Sequence, residues 1–524
     1  LEFRRVLFRS KLEFSSEFGF RLNGEKIFLK GNANHHDLGA LGAASYDRAI
    51  ERMMLQLKSF GYNCIRCPHN PYSDSFARIA DRVGMLVVDE LTDKWSDNDY
   101  WGGRQPFTHI WHKLITEWIK RDRNRPSIIL WSLGNELQIR EGWAGFEGTN
   151  DWGITTYNIF NQLVKRWDNT RLTTVAMFPA RAGAITRHDK EFNDYLVPPE
   201  LACATEVASF NYQSDKYDAY LKYKPDLILF QSEAETSNLL QPYYNMDRKR
   251  TVGMAYWGSA EYWGESNKWP KKGWNYSFFD HTMRPYPQAY LIKSAFMPEI
   301  PEVHIGVVDA AGAESVSWND VIVGRMALNE CWNHTPGSRQ SLFTFTNAHS
   351  VELLVNGQSM GVQENDTTQA NLRNMIYWKD VPYGNGGSVV AIARDKLGKE
   401  VARHHIETAG KAVALRIEAE TPADWKADGM DLQYINVTAI DKKGRPVWDY
   451  NKPLTLQMEG AAWLVALDNG DHYTDELFHG ITSKRMYQGR MQIILRSTKT
   501  PSNVKLEISS ADLKEKLSLK TSLK

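Results

Sequence analysis

The sequence predicts an α/β fold, an eight-stranded (β/α)8 TIM barrel followed by two all-β, immunoglobulin-like sandwich domains. Three observations predict it. Eight apolar, β-rich runs alternate with helix-like segments up to about residue 298, a length of roughly 270 residues that suits such a barrel. Beyond Pro298-Glu299-Ile300-Pro301 the alternation gives way to short strand-like runs with frequent turns, the pattern of a sandwich. Two of the buried runs, Ile128 to Glu136 and Leu227 to Glu233, end on carboxylates, at the strand ends where a barrel carries its chemistry.

In chain order, Leu1 to Ser10 has no apolar core of a secretory signal and reads as a non-native leader. A native targeting segment is then absent from this chain, and a periplasmic or extracellular compartment is compatible with it. Residues 11–26 read as the remnant of a β-sandwich, ending in a hairpin with an Asn23-Gly24 turn. The barrel is expected over residues 27–300. Its strands are Leu29 to Asn34, Asn63 to His69, Met85 to Leu91, Ile128 to Glu136, Leu172 to Met177, Val207 to Tyr212, Leu227 to Glu233 and Gly253 to Gly258. Helices are predicted over Ser45 to Phe60, Asp74 to Val83 and Phe107 to Arg123, from apolar spacing and the stops at Gly61, Gly84 and Pro126. A doubly wound open sheet is the competing fold, but the early loops lack a glycine-rich phosphate fingerprint. Sandwiches are expected over 301–410 and 411–524, with runs such as Leu342 to Thr346, Val351 to Gly357, Leu432 to Ile440 and Val504 to Ile508.

Composition excludes several partners. The 63 basic and 63 acidic residues balance to a net charge of zero, with no basic stripe for nucleic acid or a membrane surface. No run reaches the ~18 apolar residues of a spanning helix. The 18 Trp suit large cores and also the stacking of pyranose rings. Cys64 and Cys67 form a C-x-x-C, but they sit within a strand and no second cysteine pair completes a zinc site, so buried thiols are expected.

The strand tips gather polar groups that packing does not explain. They include His35, His36, Arg66, His69, Asp89, Glu90, Asp93, Asn135, Glu136, Asn211, Tyr212, Glu233 and Trp257. Tips of the fourth and seventh strands face each other across a barrel mouth, so Glu136 and Glu233 suit paired-carboxylate glycoside hydrolysis, with a separation of roughly 5–5.5 Å in a retaining enzyme. Glu136 is expected to hold the proton, in a partly apolar pocket beside the second carboxylate. Glu233 is expected to stay ionised through hydrogen bonds from neighbours such as Tyr212 and Arg66. Glu235, two residues on, is a rival nucleophile because strand side chains repeat with period two. The spacing of the three histidines is not that of a metal site.

These residues resemble a known family. Lys30 to Ala44, Asn63 to Pro71, Val87-Val88-Asp89-Glu90 and Asn124-Arg125-Pro126-Ser127 are similar to glycoside hydrolase family 2 motifs. Trp131 to Glu136 and Gln231-Ser232-Glu233 resemble its acid/base and nucleophile motifs. The resemblance covers residues 20–298, and the trailing sandwiches look like C-terminal domains of longer β-galactosidases in that family. It implies a retaining exo-glycosidase acting on terminal β-D-galactosyl residues by double displacement. Glu136 is then acid/base and Glu233 nucleophile in preference to Glu235. His35, His69, Asn135, Tyr212, Trp257, Asp93 and Arg66 are then substrate-binding, with Trp95 in the same loop as Asp93. Glu265, Trp269 and Arg284 join them from the loop after the last strand. The family's N-terminal jelly-roll is missing from this chain. No cofactor is implied, and no metal either, because Leu91-Thr92-Asp93-Lys94-Trp95-Ser96 lacks the Glu-x-His by which some members hold magnesium.

The expected partner is an oligosaccharide or polysaccharide with terminal β-galactose. Lys271, Lys272 and Arg284 either meet a sulfated or otherwise anionic galactan or are solvated surface charges. A homo-oligomer is compatible with the chain. β-Glucuronidase and β-mannosidase of the same family are alternatives, as is a non-catalytic carbohydrate-binding fragment. The intact carboxylate pair argues against the last.

Overall fold

The computed structural model describes residues 10–95, 106–137, 153–178, 198–212, 214–236, 239–266, 269–309, 314–318 and 321–523. The first nine residues, expected to be a leader, lie outside them. The chain divides into two compact units, one of Leu1–His36, Met54–Ser259 and Ser315–Gly324, the other of Asp37–Met53, Ala260–Glu314 and Arg325–Lys524.

The first unit opens with β1 (Leu12–Ser15), β2 (Gly19–Leu22) and β3 (Glu25–Lys26), a small antiparallel sheet. The expected Asn23-Gly24 turn joins β2 to β3, both residues having positive φ. Eight parallel strands then close a barrel: β4 (Leu29–Ala33), β5 (Cys64–Cys67), β6 (Leu86–Glu90), β7 (Ile128–Asn135), β8 (Leu172–Met177), β9 (Val207–Asn211), β10 (Leu229–Ala234) and β11 (Thr251–Trp257). All eight coincide with the expected runs, and β11 returns to pair with β4. Parallel strands are covered on both faces, which is why β7, β9, β10 and β11 are buried throughout and read as unbroken apolar runs. The closing seam requires close approach. A Cβ on Gly253 would stand 2.3 Å from the Leu29 Cβ.

The expected helices are present as α1 (Asp47–Ser59), α2 (Asp74–Val83) and α3 (Phe107–Asp122), and α4 (Ile154–Trp167) follows β7. Local chemistry sets the ends of α2. The Ser73 side chain accepts from the Phe76 N–H, and Gly84 takes the left-handed conformation at the C-terminus. Its apolar face, Phe76, Ala77, Ile79 and Ala80, is buried. Cys64 and Cys67 are buried free thiols, and burial pushes Cys64 up to about 12, so neither is poised as a thiolate. No helix among the described residues is long and apolar enough to cross a membrane.

The second unit is largely antiparallel. One pair of four-stranded sheets comprises Leu328–Asn329, Val303–Val308, Arg339–Thr346 and Met375–Pro382 in one layer, and Gln358–Glu364, Ser350–Val355, Ser388–Arg394 and Glu400–Glu407 in the other. Their inner faces share a core of Ile305, Leu342, Val351, Leu353, Trp378, Val389 and Ala391. A second pair, built from strands between Ala414 and Lys520, closes over Ile435, Val437, Leu454, Leu467, Ile493, Val504 and Ile508. The barrel followed by β domains agrees with the expected fold class. Within this unit Arg48 on the first turn of α1 pairs with Asp431 at 2.9 Å, and Arg52 with Glu420 at 2.7 Å.

Side chains alternate across β6, so neighbouring acids part company. Asp89 is buried against α3, where the Trp118 indole donates to it at 2.6 Å and Asp122 lies beside it. Burial, then the Asp122 carboxylate, push the Asp89 carboxyl up to about 8. A folded state that holds a proton more tightly than the unfolded chain loses stability as pH rises from the unfolded towards the folded pKa. Asp89→Asn, neutral throughout, removes this slope. The variant's melting temperature relative to wild type is therefore expected to climb between about pH 5 and about pH 8. A constant or falling difference in calorimetry would show that Asp89 is ionised in the fold.

Candidate active site

The tips of β5, β6, β7, β9 and β10 meet around one buried guanidinium. Arg66, on β5, has no exposed surface. It donates to Glu90 on β6 through Nε at 3.1 Å and Nη2 at 2.8 Å, to Glu233 Oε1 on β10 at 2.7 Å, and to Asn135 Oδ1 on β7 at 2.9 Å. Glu90 also receives Ser132 Oγ at 2.7 Å and contacts His69 Nδ1 at 2.7 Å. Asn211 on β9 continues the chain of bonds. Its Nδ2 donates to Asn135 Oδ1 at 2.9 Å and to Glu136 Oε1 at 3.1 Å, and its Oδ1 accepts from Ser232 Oγ at 2.8 Å. Glu136 and Glu233, 5% and 3% exposed, thus belong to one network, the first held through Asn211 and the second through Arg66.

Backbone geometry delivers both acids. Glu136 follows the last residue of β7 with φ 47, and its N–H donates to Ala176 O at 2.6 Å on the next strand. A non-glycine residue in that region is strained and must be held by its surroundings. Two residues earlier, Gly134 leaves room for Trp95. A Cβ there would come within 2.7 Å of the indole nitrogen, which donates to Leu133 O at 2.8 Å. On β10 the register shifts between Gln231 and Glu233, which pairs with Asn211. The strand ends at Ala234, so its period-two alternation does not extend to Glu235. Glu235 lies past the strand, close to the buried phenols of Tyr217 and Tyr256.

One wall of the site is aromatic. His69 stacks on Trp257 with ring centroids 5.4 Å apart and 13° between planes. The His35 ring packs edge-on to both, at 5.6 Å from His69 and 5.1 Å from Trp257. His36 turns the other way, onto Tyr72 and Phe76, and burial lowers its pKa. Tyr212 joins β10 through its backbone, its N–H donating to Glu233 O at 2.6 Å. Asp93 accepts from Lys94 at 2.6 Å and from Asn135 Nδ2 at 3.0 Å.

Three family models match the chain. They are the TIM barrel domain of glycosyl hydrolases family 2 over residues 16–252, the family 2 C-terminal domain 5 over residues 415–517, and a domain of unknown function (DUF4982) over residues 337–402. The chain belongs to glycoside hydrolase family 2. It is 27% identical to the β-galactosidase BoGH2A of Bacteroides ovatus over 95% of this chain and 62% of that protein. It is 34% identical to a β-glucuronidase of Streptococcus agalactiae over 24% of this chain and 23% of that protein. The solved structure of a family 2 member from Bacteroides cellulosilyticus is similar at 28% identity and a TM-score of 0.82, covering 97% of this chain and 64% of the other. The chain thus spans less than two thirds of the length of these relatives.

Of the site residues expected from this family 2 sequence, Arg66, His69, Asp93, Asn135, Glu136 and Glu233 fall in the hydrogen-bonded network, and His35 and Trp257 beside His69. Glu265, Trp269 and Arg284 belong to the second unit. There Glu265 accepts from the Tyr262 hydroxyl, and Trp269 is 73% exposed. Arg284 is engaged by Asp280 at 3.2 Å and Gln488 at 3.1 Å. Lys271 is buried, its ammonium 4.0 Å from the Tyr276 ring centroid, so it is not the solvated surface charge considered from sequence. Glu90 and Asn211 were visible as strand-tip residues but not as the hubs they are. Their partners lie on other strands, where no local pattern reveals them.

Opposing electrostatic influences act on the Glu233 carboxyl. Burial pushes the Glu233 carboxyl above the usual range, Arg66 pulls it back, and the Glu136 charge pushes it up again. Glu136→Gln deletes one of the two upward pushes. The Glu233 midpoint, followed by carboxyl-selective isotope-edited infrared titration, is expected to fall in that variant. An unchanged or raised midpoint would separate the two groups electrostatically.

Proposed function

We propose that the chain is the catalytic part of a retaining exo-glycosidase that releases terminal β-D-galactosyl residues. The observation that carries this reading is the buried pair of carboxylates on the tips of the fourth and seventh barrel strands, tied through Asn211, Asn135 and Arg66 into one network. Arg66, donating to Glu233, favours the ionised form of that carboxyl. Protonated Glu136 gives its proton to the glycosidic oxygen as the Glu233 carboxylate attacks the anomeric carbon. The bond to the leaving group breaks, and a glycosyl ester forms on Glu233. Glu136, now a carboxylate, takes a proton from water. That water attacks the anomeric carbon, releases the sugar with its configuration retained, and frees Glu233.

Asn135, held by Arg66 and Asn211, is placed to bond the sugar 2-hydroxyl, an interaction that strengthens in the transition state. His35, His69 and Trp257 supply a ring-stacking wall, and Tyr212 and Asp93 complete the sugar subsite. A neutral galactoside is favoured over an anionic galactan because Arg284 is already engaged by Asp280 and Gln488. A relative matched over 95% of this chain is named a β-galactosidase, and this supports galactose.

A panel of aryl β-glycosides tests the sugar. Galactoside is expected to turn over, and turnover of glucuronide or mannoside without galactoside would reject it. Glu233→Ala should abolish turnover, and azide should restore it while giving the glycosyl azide of inverted configuration. A variant as active as wild type, or a wild type that hydrolyses no glycoside, would contradict the mechanism.

A further inference from the structure

Outside the barrel site, the second unit buries a cluster of metal-type ligands that the proposed hydrolysis does not use. Glu261 Oε2 lies 3.1 Å from His281 Nδ1 and 3.1 Å from His472 Nδ1, and the three ligand atoms all lie within 4.8 Å of one another. Glu261, His281 and His472 are 2%, 4% and 4% exposed.

Three features go beyond proximity. Charge-assisted N–H···O bonds run at about 2.7–2.9 Å. Atoms bound to one tetrahedral zinc at about 2.0–2.2 Å stand roughly 3.3 Å apart. The two equal separations of 3.1 Å fall between these distances and are longer than the cluster's other imidazole–carboxylate contact. That contact runs from His281 Nε2 to Asp468 Oδ1 at 2.8 Å, the carboxylate–histidine arrangement that fixes a ligating imidazole. Glu261 is braced in the same way on its other oxygen, where the Tyr286 hydroxyl donates at 2.8 Å. Finally, Trp263 orients both rings. It stacks on His472 at 5.4 Å and 29° and lies 4.6 Å from His281, while its own indole N–H donates to Gly39 O.

We infer that Glu261, His281 and His472 form a binding site for a divalent transition-metal ion, zinc fitting the two-imidazole, one-carboxylate set best. Asp468 and Tyr286 orient the ligands, and water takes the remaining position. The ion would join the segment following β11, which carries Glu261 and His281, to the segment after strand Ala462–Asp468, which carries His472. Its role is structural and independent of the glycosidase reading.

The test uses the full chain without a histidine tag, stripped by a chelator and dialysed. Added zinc is expected to be retained at about one equivalent per chain by elemental analysis and to raise the melting temperature. Cobalt is expected to give the visible absorption of a tetrahedral ion. His472→Gln and Glu261→Gln should lose the retained zinc, the thermal shift and the cobalt bands. His404→Gln, in a second cluster with His304 and Glu330, should keep all three. The cobalt spectrum of wild type needs no variant to fold. No retained zinc and no cobalt bands, or retention lost in His404→Gln and kept in His472→Gln, would overturn the assignment.

Discussion

Everything at the mouth of the barrel depends on accommodating one buried guanidinium. Arg66 cannot shed its charge, and an unpaired charge in the interior is very costly, so it must be matched where it lies. Its partners come from three other strands, Glu90 on β6, Asn135 on β7 and Glu233 on β10. Satisfying Arg66 therefore fixes the relative register of a large part of the barrel. Glu90 passes the constraint on to His69 and Ser132, and Asn135 passes it to Asn211 and so to Glu136. The two acids are buried and tied into the hydrogen bonds that satisfy Arg66, so their orientation is preorganised.

The strands were legible because a parallel barrel buries both faces of each, leaving apolar runs that end abruptly where polar tips begin. The run from Ile128 to Glu136 is the clearest, and β7 follows it almost residue for residue. Turns with a steric requirement, such as Asn23-Gly24, were legible for the same local reason. Long-range pairing was not. Nothing in the neighbourhood of Glu90 announces Arg66, and nothing near Asn211 announces Glu136. The choice between Glu233 and Glu235 lay beyond a period-two argument because β10 ends at Ala234, before Glu235. Family motifs favour Glu233, which accepts a hydrogen bond from Arg66.

Alternation on β6 also explains how one dipeptide serves two ends. Glu90 faces the barrel mouth and joins the charged network, while Asp89 faces α3 and meets Trp118. An acid in the first setting is surrounded by donors and its pKa is lowered. In the second, burial beside Asp122 raises it. The same side-chain chemistry is thus divided between site and scaffold by strand geometry alone. Glu261, in the second unit, is a further acid whose setting no sequence motif disclosed, because His281 and His472 reach it from separate stretches of chain.

The central claim is that Glu233 becomes covalently bonded to sugar. A 2-deoxy-2-fluoro-β-galactosyl fluoride slows both steps but forms the ester faster than it is released, so intact-protein and peptide mass spectrometry can locate the bond. The account predicts a single added fluorosugar on the peptide carrying Glu233, with the label lost in Glu233→Gln. A label on Glu235, or a protein that hydrolyses galactosides yet never accumulates the adduct, would contradict it.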